Sequence, residues 1–244
     1  MMKTFCILMM LLFVVIVRAQ DSYDFQSVLS QQTSSSSSGG SSLVLKYIFA
    51  TSGTPSSITD SSGNGHTLSM VTDYGSPASE TTLPSYSTGA IVFTSNQHGS
   101  IVSPSTLPSA TSSWTVEAWV NSAGLTHVLT WGDSAGNYVL CEINSGIYSD
   151  DQAGYIAGST TGWVANTTYM YAWVYNGTSL SLYLNGSLVA GPTTHTFGSW
   201  TGNSAFMASN MAGGDTSGTI GFVEIFNIAK NGTQISTDYS SGPQ

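Results

Sequence analysis

Leucines alternate with polar side chains between two Asn-Gly dipeptides in the second half of this chain. In Leu180–Leu184 the leucines share one face, whereas Ser181 and Tyr183 share the other, which is the two-residue period of a half-buried β-strand. Asn176-Gly177 precedes this run and Asn185-Gly186 follows it directly. Because Asn and Gly tolerate positive φ, such dipeptides favour the tight turns of β-hairpins. The segment therefore predicts antiparallel strands rather than helices.

Short apolar runs separated by turn residues continue through the rest of the chain from Leu43 onward. No helical period of useful length accompanies them. Roughly ten short strands with frequent turns favour a single all-β sandwich, and one domain of about 200 residues is usual for that class. The predicted strands are Leu43–Phe49, Ala90–Phe93, Ser100–Val102, Trp114–Asn121, Val128–Trp131, Tyr138–Ile143, Tyr169–Tyr175, Leu180–Leu184, Ala205–Ala208 and Thr219–Phe226.

Residues 1–19 have the composition of a secretory signal peptide. Lys3 supplies the positive start, residues 5–17 are an unbroken apolar run, and Val17-Arg18-Ala19 places small residues at the −3 and −1 positions of a cleavage site. The apolar run is shorter than the roughly 20 residues that a bilayer core requires. We therefore predict a secreted, extracellular protein with no membrane insertion after signal cleavage, and a retained membrane anchor is the alternative.

A Ser/Gly-rich segment separates the signal peptide from the strands. Residues 34–38 are all serine and residues 39–42 read Gly-Gly-Ser-Ser. Such runs bury little apolar area and behave as flexible linkers. The predicted organisation is a signal peptide over residues 1–19, a linker over 20–42, a folded domain over 43–240 and a short tail over 241–244.

Positive charge is scarce in this sequence. The chain has 4 Lys+Arg against 13 Asp+Glu, and only Lys46 and Lys230 remain once residues 1–19 are removed. So few cations cannot neutralise a row of phosphates or hold anionic lipid headgroups, which excludes nucleic acids as partners. Six Trp and a hydrophobic content of 41% also exclude a disordered chain.

Cys141 is the single cysteine that follows the signal peptide. It alternates with Val139 and Ile143 on one face of a predicted strand, and a buried free cysteine behaves as a small hydrophobic residue. We therefore predict an inert, buried thiol, with a disulfide to a second chain as the alternative.

Four N-x-Ser/Thr sequons are candidate N-glycosylation sites in an exported eukaryotic chain. In a bacterial chain they would be turn sequences only. They begin at Asn166, Asn176, Asn185 and Asn231.

Several segments occur in the order typical of a known domain family. They are residues 43–49 followed by Asp60-Ser61-Ser62-Gly63-Asn64-Gly65, residues 114–120, the hairpin over 171–186, and the closing residues 220–227 with 234–239. Together they resemble laminin-G-like domains of the concanavalin A-like lectin/glucanase superfamily. The resemblance implies a two-sheet antiparallel jelly-roll sandwich, with a short helix after the closing strand. It also implies a role in extracellular adhesion, in glycan binding or beside sugar-active enzymes.

The resemblance further implies a calcium site, from which this chain departs. Many members carry Asp in the closing strand and after the strand that here ends at Phe93, where this sequence has Gly221 and Ser95. Asp60 and Asn64 remain as candidate oxygen ligands, although Ca²⁺ takes six to eight oxygens. Calcium is thus a candidate cofactor that the protein is not expected to require.

Catalytic motifs are weak in this chain. Glycosidases need two carboxylates at a fixed separation, and the glucanases of the superfamily present an E-x-D-x-x-E run, of which Glu142-Ile143-Asn144 keeps only one acid. Glu117 and Glu224 are candidates to face one groove, although their spacing does not require it. The four histidines follow no zinc-binding spacing. We therefore expect a protein that is not an enzyme.

Aromatic side chains are the candidates for stacking on sugar rings. The alternating aromatics of Tyr169–Tyr175 favour a core position, because large aromatics dominate core burial. Trp163 and Trp200 lie in loop-like, Gly-rich contexts, and we predict these two as an exposed ligand platform.

Three functions follow from these observations, in decreasing order of support. The first is a secreted, non-catalytic carbohydrate-binding or adhesion module, with glycans or extracellular proteins as partners, and it predicts exposed aromatics lining a groove. The second is a self-associating coat, matrix or filament protein that packs against copies of itself, and it predicts a large apolar patch or an unpaired sheet edge. The third is a glycoside-active enzyme.

Overall fold

Two antiparallel β-sheets pack face to face in this protein. The computed structural model describes residues 42–71, 82–94, 96–109, 111–133, 137–151, 153–200, 204–211 and 213–243. The predicted signal peptide, all but the last residue of the predicted linker, Ser95 and the final residue of the predicted tail lie outside these ranges.

The secondary structure of the described residues is almost entirely β. A helix, α1, spans Gly232–Ser241, and a 3₁₀ turn spans Pro104–Thr106. The strands are β1 (Leu43–Ile48), β2 (Ser52–Gly53), β3 (Ser57–Ile58), β4 (Leu68–Val71), β5 (Ser85–Ser87), β6 (Ala90–Phe93), β7 (His98–Ile101), β8 (Trp114–Ser122), β9 (Leu125–Gly132), β10 (Tyr138–Asn144), β11 (Ile147–Asp151), β12 (Gly154–Ser159), β13 (Thr167–Tyr175), β14 (Ser179–Leu184), β15 (Ser187–Thr194), β16 (Ser204–Met207) and β17 (Gly218–Phe226).

Strand order confirms the predicted two-sheet antiparallel jelly-roll sandwich. Sheet A has nine strands in the order β15-β14-β13-β8-β17-β6-β5-β2, and β1 pairs with the C-terminal half of β17. Sheet B has eight strands in the order β12-β11-β10-β9-β16-β7-β4-β3. Strands far apart in sequence, such as β8 and β17, lie side by side in sheet A, so the chain crosses repeatedly between the two layers.

The core lies between the inward faces of the two sheets. Trp114, Trp131 and Trp173 are almost completely buried there, and Trp114 meets Trp131 edge to face with ring centroids 5.1 Å apart. The alternating aromatics of Tyr169–Tyr175 also face this core, which confirms their predicted position. Cys141 is buried and free, as predicted, and burial raises the pKa of its thiol.

The helix α1 covers the outer face of sheet A. Ile235 of the helix is fully buried against that face, and Tyr239 stacks on Trp119 with ring centroids 5.8 Å apart. Asn231 caps the helix through a capping box with Gln234. Among the described residues, no helix is long and apolar enough to cross a membrane.

Seven strands were not predicted from the sequence, namely β2, β3, β4, β5, β11, β12 and β15. Most of them are short or rich in Ser, Gly and Asp, residue types that propensity assigns to turns. The strand β15 contains Gly191-Pro192, a dipeptide typical of turns. It lies at the edge of sheet A, where a missing backbone N–H costs no ladder hydrogen bond.

Candidate functional site

Side-chain alternation on β10 defines the outer face of sheet B. Val139, Cys141 and Ile143 belong to the core, so Leu140 and Glu142 project from the opposite face. Across the ladder to β11, Leu140 is paired with Asp150 and Glu142 with Tyr148. The side chains of Asp150 and Tyr148 therefore project on the same outer side as Glu142.

Two tight turns hold β10, β11 and β12 in this arrangement. Ser145, with φ of 56°, reverses the chain between β10 and β11. Between β11 and β12, Asp151 Oδ1 accepts a hydrogen bond of 2.7 Å from the N–H of Ala153, and Gly154 has φ of 111°, a value that glycine adopts readily. These turns set the register that brings acids and tyrosines together.

Tyr148 and Tyr155 form an aromatic pair on this face. Their ring centroids are 5.5 Å apart, and Tyr155 is 61% exposed, the highest value among the exposed large hydrophobic side chains. The ring of Tyr148 lies over Gly158, where any Cβ would overlap it. Glycine at this position thus makes room for the tyrosine ring.

His127 and Glu142 lie beside the tyrosine pair. His127 on β9 is paired with Glu142 on β10, and its Nε2 is 3.4 Å from Glu142 Oε2. The His127 Nδ1 is 2.9 Å from the carbonyl oxygen of Gly214, which connects the backbone at Gly214 to the sheet. We call the surface formed by His127, Glu142, Tyr148, Asp150 and Tyr155 the β9–β12 face.

Asp150 is the least satisfied group of the β9–β12 face. Its Oδ1 is buried without a hydrogen-bond partner in the described part of the chain. Burial, together with the charges of Glu142 and Asp151, raises the pKa of Asp150 to about 6, and His127 opposes the shift. Its register position is diagonal to Glu142, a relation in which Cα atoms are about 7–8 Å apart. This carboxyl group can accept a hydrogen bond when ionised and donate one when protonated.

His195, in the loop that follows β15, contacts an acid at the edge of this face. The His195 Nε2 is 3.0 Å from Asp151 Oδ2, without a hydrogen bond between the two side chains. The ring of Phe197 meets the His195 ring edge to face, with centroids 4.6 Å apart. The loop after β15 is therefore held against the sandwich.

The prediction that Trp200 is exposed is wrong. Trp200 is only 9% exposed, and it packs edge to face against Trp131 with ring centroids 6.5 Å apart. The loop that carries it turns Phe197 and Trp200 inward over the end of the core. Its Gly-rich sequence suggested a surface loop, but burying two large aromatic side chains stabilises the inward position.

Trp163 is half-buried beside the core and not on the β9–β12 face. It packs against the core cluster, and its Nε1 approaches the hydroxyl of Tyr171 in a geometry short of a standard hydrogen bond. The two tryptophans predicted as one platform are therefore not a shared exposed surface.

Asp60 is surrounded by protein donors rather than placed for a metal. Its Oδ1 accepts from the N–H groups of Lys46 at 3.0 Å and Ser62 at 2.9 Å. Its Oδ2 accepts from the Ser62 hydroxyl at 2.8 Å and the His66 N–H at 3.1 Å. Burial pushes the pKa of Asp60 up, but these hydrogen bonds outweigh burial and lower it.

Asn64 likewise presents its amide nitrogen to the protein. Its Nδ2 donates to the carbonyl oxygens of Leu43 at 3.1 Å and Val44 at 2.9 Å. A pocket of about 430 Å³ opens beside this loop, and no carboxylate lines it. Nowhere in the described ranges do three or more His, Cys, Asp or Glu side chains form a group suited to a metal. Asp60 and Asn64 therefore do not fit a calcium ion.

Glu117 and Glu224 share a face, but α1 and two lysines close it. They are direct neighbours across β8 and β17, on the outer side of sheet A. Lys230 Nζ is 3.0 Å from Glu117 and 2.9 Å from Asp238 of α1, and Lys46 Nζ is 3.1 Å from Glu224. The groove considered for these two glutamates is therefore filled by contacts between lysine and carboxyl groups.

All four sequons border sheet A or its helix. Asn166 lies just before β13, Asn176 in the β13–β14 turn, Asn185 in the β14–β15 turn, and Asn231 at the cap of α1. None of the four lies on the β9–β12 face.

Comparison with known families identifies the fold. Residues 93–236, more than half of the chain, match the laminin G family model described as the concanavalin A-like lectin/glucanases superfamily. The chain belongs to this superfamily. A comparison with curated proteins gives no match.

Solved structures share the same architecture at low sequence identity. Domain 4 of AbnA, an extracellular arabinanase of Geobacillus stearothermophilus solved with arabinotriose, is 17% identical with a TM-score of 0.59, covering 80% of this chain and 97% of that one. The ligand-binding domain of botulinum neurotoxin serotype D, solved with N-acetylneuraminic acid, is 14% identical with a TM-score of 0.54, covering 82% and 50%. A Trypanosoma rangeli sialidase mutant is 15% identical with a TM-score of 0.51, covering 83% and 34%. At these identities the similarity is one of fold.

Most residues of the β9–β12 face were missed by sequence reasoning. Glu142 was considered only as a remnant of a catalytic run, and Tyr148, Asp150 and Tyr155 lie on strands that were not predicted. The alternation of Tyr148 and Asp150 within Ile147–Asp151 is a weak strand signal that could have placed both on one face.

Proposed function

We propose that this protein is a secreted, non-catalytic carbohydrate-binding or adhesion module whose β9–β12 face holds the glycan. The observation that carries the proposal is the exposed ring of Tyr155, which lies beside Tyr148 and across the ladder from the half-buried Asp150. An aromatic ring offers an apolar surface to the C–H face of a sugar, and carboxylate oxygens accept hydrogen bonds from its hydroxyl groups. A few polar groups around an apolar platform are typical of small-molecule sites.

The known structures of similar fold support this assignment as a class. Two of them were solved with a sugar, arabinotriose in one and N-acetylneuraminic acid in the other. Because identity is low, they support a sugar-binding use of the architecture and do not indicate which sugar this chain binds.

The distribution of sequons supports the choice of face. If the chain is exported through a eukaryotic secretory pathway, glycans on Asn166, Asn176, Asn185 and Asn231 would surround sheet A and α1. The β9–β12 face would stay open to a ligand. This orientation, the predicted signal peptide and the scarcity of surface cations all agree with a secreted module.

Self-association through a sheet edge is a less favoured second function. The edge strand β15 is exposed along most of its length, which would suit a partner strand. However, β15 contains Pro192 and its pairing with β14 shifts register twice, and both features oppose the addition of another strand.

Glycan-array binding followed by calorimetry tests the proposed function. We expect the purified chain to bind at least one oligosaccharide and Tyr155→Ala to weaken that binding by at least about tenfold. Stacking of a nucleobase on one aromatic ring contributes about 1–3 kcal/mol, and about 1.4 kcal/mol corresponds to a tenfold change in affinity. Leu188→Ala, an exposed apolar side chain on sheet A, is the matched control and should bind like the wild type.

Two results would contradict the proposal. The first is a folded wild-type protein that binds no glycan, and the second is unchanged affinity in Tyr155→Ala. The same samples are also tested for released reducing sugar, because turnover of the bound oligosaccharide would show an enzyme rather than a binding module.

A further inference from the structure

We infer that the β9–β12 face discriminates against acidic sugars and accepts oligosaccharides that carry no carboxylate. The inference rests on the proposed function, because it assigns a ligand class to the same face. The inference is drawn from the positions of the charged side chains. It predicts a ligand class different from that of the botulinum domain of similar fold, which was solved with the acidic sugar N-acetylneuraminic acid.

The acidic side chains near the β9–β12 face are Glu142, Asp150 and Asp151, and the basic side chains beside them are histidines. His127 lies against Glu142 at 3.4 Å, and His195 lies against Asp151 at 3.0 Å. Each histidine is therefore already placed beside one acid of the protein. Asp150 has a buried oxygen without a partner in the described part of the chain.

The strong cations of the described chain are engaged elsewhere. Its two lysines, Lys46 and Lys230, both lie on the outer side of sheet A, in contact with Glu224, Glu117 and Asp238. The described residues contain no arginine. Recognition of a sugar carboxylate usually employs the paired donors of an arginine or the charge of a lysine.

A sugar hydroxyl suits this face better than a sugar carboxylate does. The half-buried carboxyl group of Asp150 is an acceptor when ionised, and a sugar hydroxyl is a donor. A second carboxylate would meet Asp150 and Glu142 as like charges in a partly buried setting, where screening by water and salt is reduced. The face thus favours neutral oligosaccharides through hydrogen bonding and opposes acidic ones through repulsion.

Matched oligosaccharide pairs test the inference. The wild-type chain is titrated with neutral oligosaccharides and with the same oligosaccharides extended by N-acetylneuraminic acid or glucuronic acid, at about pH 8, where Asp150 is ionised because its pKa is about 6. We expect the neutral member of a bound pair to bind at least about tenfold more tightly, and the ratio to shrink at high salt.

Two variants connect the discrimination to Asp150. Asp150→Asn keeps an acceptor oxygen and removes the charge, so the neutral-to-acidic affinity ratio should fall several-fold while neutral binding persists. Asp238→Asn makes the same change in net charge on the opposite sheet and should leave the ratio unchanged. Circular dichroism confirms that each variant is folded.

The outcomes separate this inference from the function on which it rests. Equal or tighter binding of the acidic member, or an unchanged ratio in Asp150→Asn, would overturn the inference and leave a glycan-binding module. Absence of binding to every neutral and acidic probe by folded wild-type protein would overturn both.

Discussion

Asp60 lies in a sequence typical of a metal site, but its carboxylate accepts hydrogen bonds from the protein instead. Four protein donors surround its two oxygens at 2.8–3.1 Å. These donors come from β1 and from the loop over residues 62–66, so Asp60 fastens that loop to the first strand. Hydrogen bonds of this kind to a charged group contribute about 1.5–3 kcal/mol each in favourable cases.

Asp60→Ala should therefore destabilise the protein, whereas calcium should not stabilise it. We expect the substitution to lower the free energy of unfolding by about 2–4 kcal/mol, because buried N–H groups lose their acceptor. Chemical denaturation measures this change. Thermal unfolding of the wild type with excess CaCl₂ and with EDTA should give the same Tm. A clear rise of Tm with calcium would contradict the absence of a fitting site.

Glu117 gives the stability of the protein a defined pH dependence. Burial raises its pKa from 4.5 to about 8 although Lys230 lowers it, and Asp238 and Glu224 add to the rise. Because the folded pKa is raised, the stabilising contribution of Glu117 is complete below about pH 4.5 and is lost as the pH rises through 8. Asp60, whose pKa is lowered, acts in the opposite direction at acidic pH.

Denaturation between pH 5 and 9 tests the effect of Glu117. We expect the free energy of unfolding of the wild type to fall across this interval, and Glu117→Gln to remove much of the slope because the amide does not titrate. A variant with the wild-type slope would contradict the assignment of the pH dependence to Glu117.

At the scale of single strands, the position of Tyr148 depends on a glycine of the neighbouring strand. Gly158 on β12 is directly opposite Tyr148 on β11, and a Cβ there would overlap the ring. Gly158→Ala should leave the sandwich folded, displace the Tyr148 ring and weaken glycan binding by several-fold. Gly124→Ala, at a position with open space, is the control. Calorimetry with the same oligosaccharide measures both, and normal affinity in Gly158→Ala would contradict a role for the ring.

On β7, a glycine makes room for a core side chain, so its substitution is expected to lower stability rather than to weaken glycan binding. Gly99 faces the core, and a Cβ there would lie 2.5 Å from Leu68, which is fully buried. Gly99→Ala should lower the free energy of unfolding by about 1–3 kcal/mol through overpacking. Chemical denaturation against the Gly124→Ala control tests this, and equal stability of the two variants would contradict it.

Long apolar strands could be predicted from the sequence, whereas the strands of the site could not. Ala90–Phe93 was predicted with its observed bounds, and β8, β13, β14 and β17 differ from the predicted strands by at most two residues at either end. Their apolar residues alternate or run continuously because one or both sides of each strand are buried, and this pattern is what predicts a strand from the sequence. In β11 and β12, Ser, Asp and Gly dilute that signal, because one side of each strand carries polar or aromatic groups towards solvent.

At the scale of the whole molecule, sheet order determined which residues meet. In sheet A, β8 lies between β13 and β17, which places Glu117 beside Glu224. In sheet B, the consecutive strands β9 to β12 pair in order, which brings His127, Glu142 and Asp150 together. These relations depend on register over distances of up to about a hundred residues, which local patterns do not encode. The buried position of Trp200 was also not predictable from local patterns, because the residues that it packs against come together only in the folded core.

The two outer surfaces of the sandwich differ in the side chains that they carry. The outer side of sheet A is closed by α1, carries the lysine–glutamate network and is bordered by the sequons. The outer side of sheet B carries the exposed ring of Tyr155 and the half-buried carboxyl group of Asp150. Ligand binding at the β9–β12 face is therefore the central claim about this protein.

Amide hydrogen exchange with and without a saturating neutral oligosaccharide that binds the protein tests this claim most directly. We predict that the ligand slows exchange in peptides covering residues 138–158 and leaves α1 unchanged. Protection confined to the loop at residues 60–66 beside the 430 Å³ pocket, or to α1, would place the glycan elsewhere and contradict the claim.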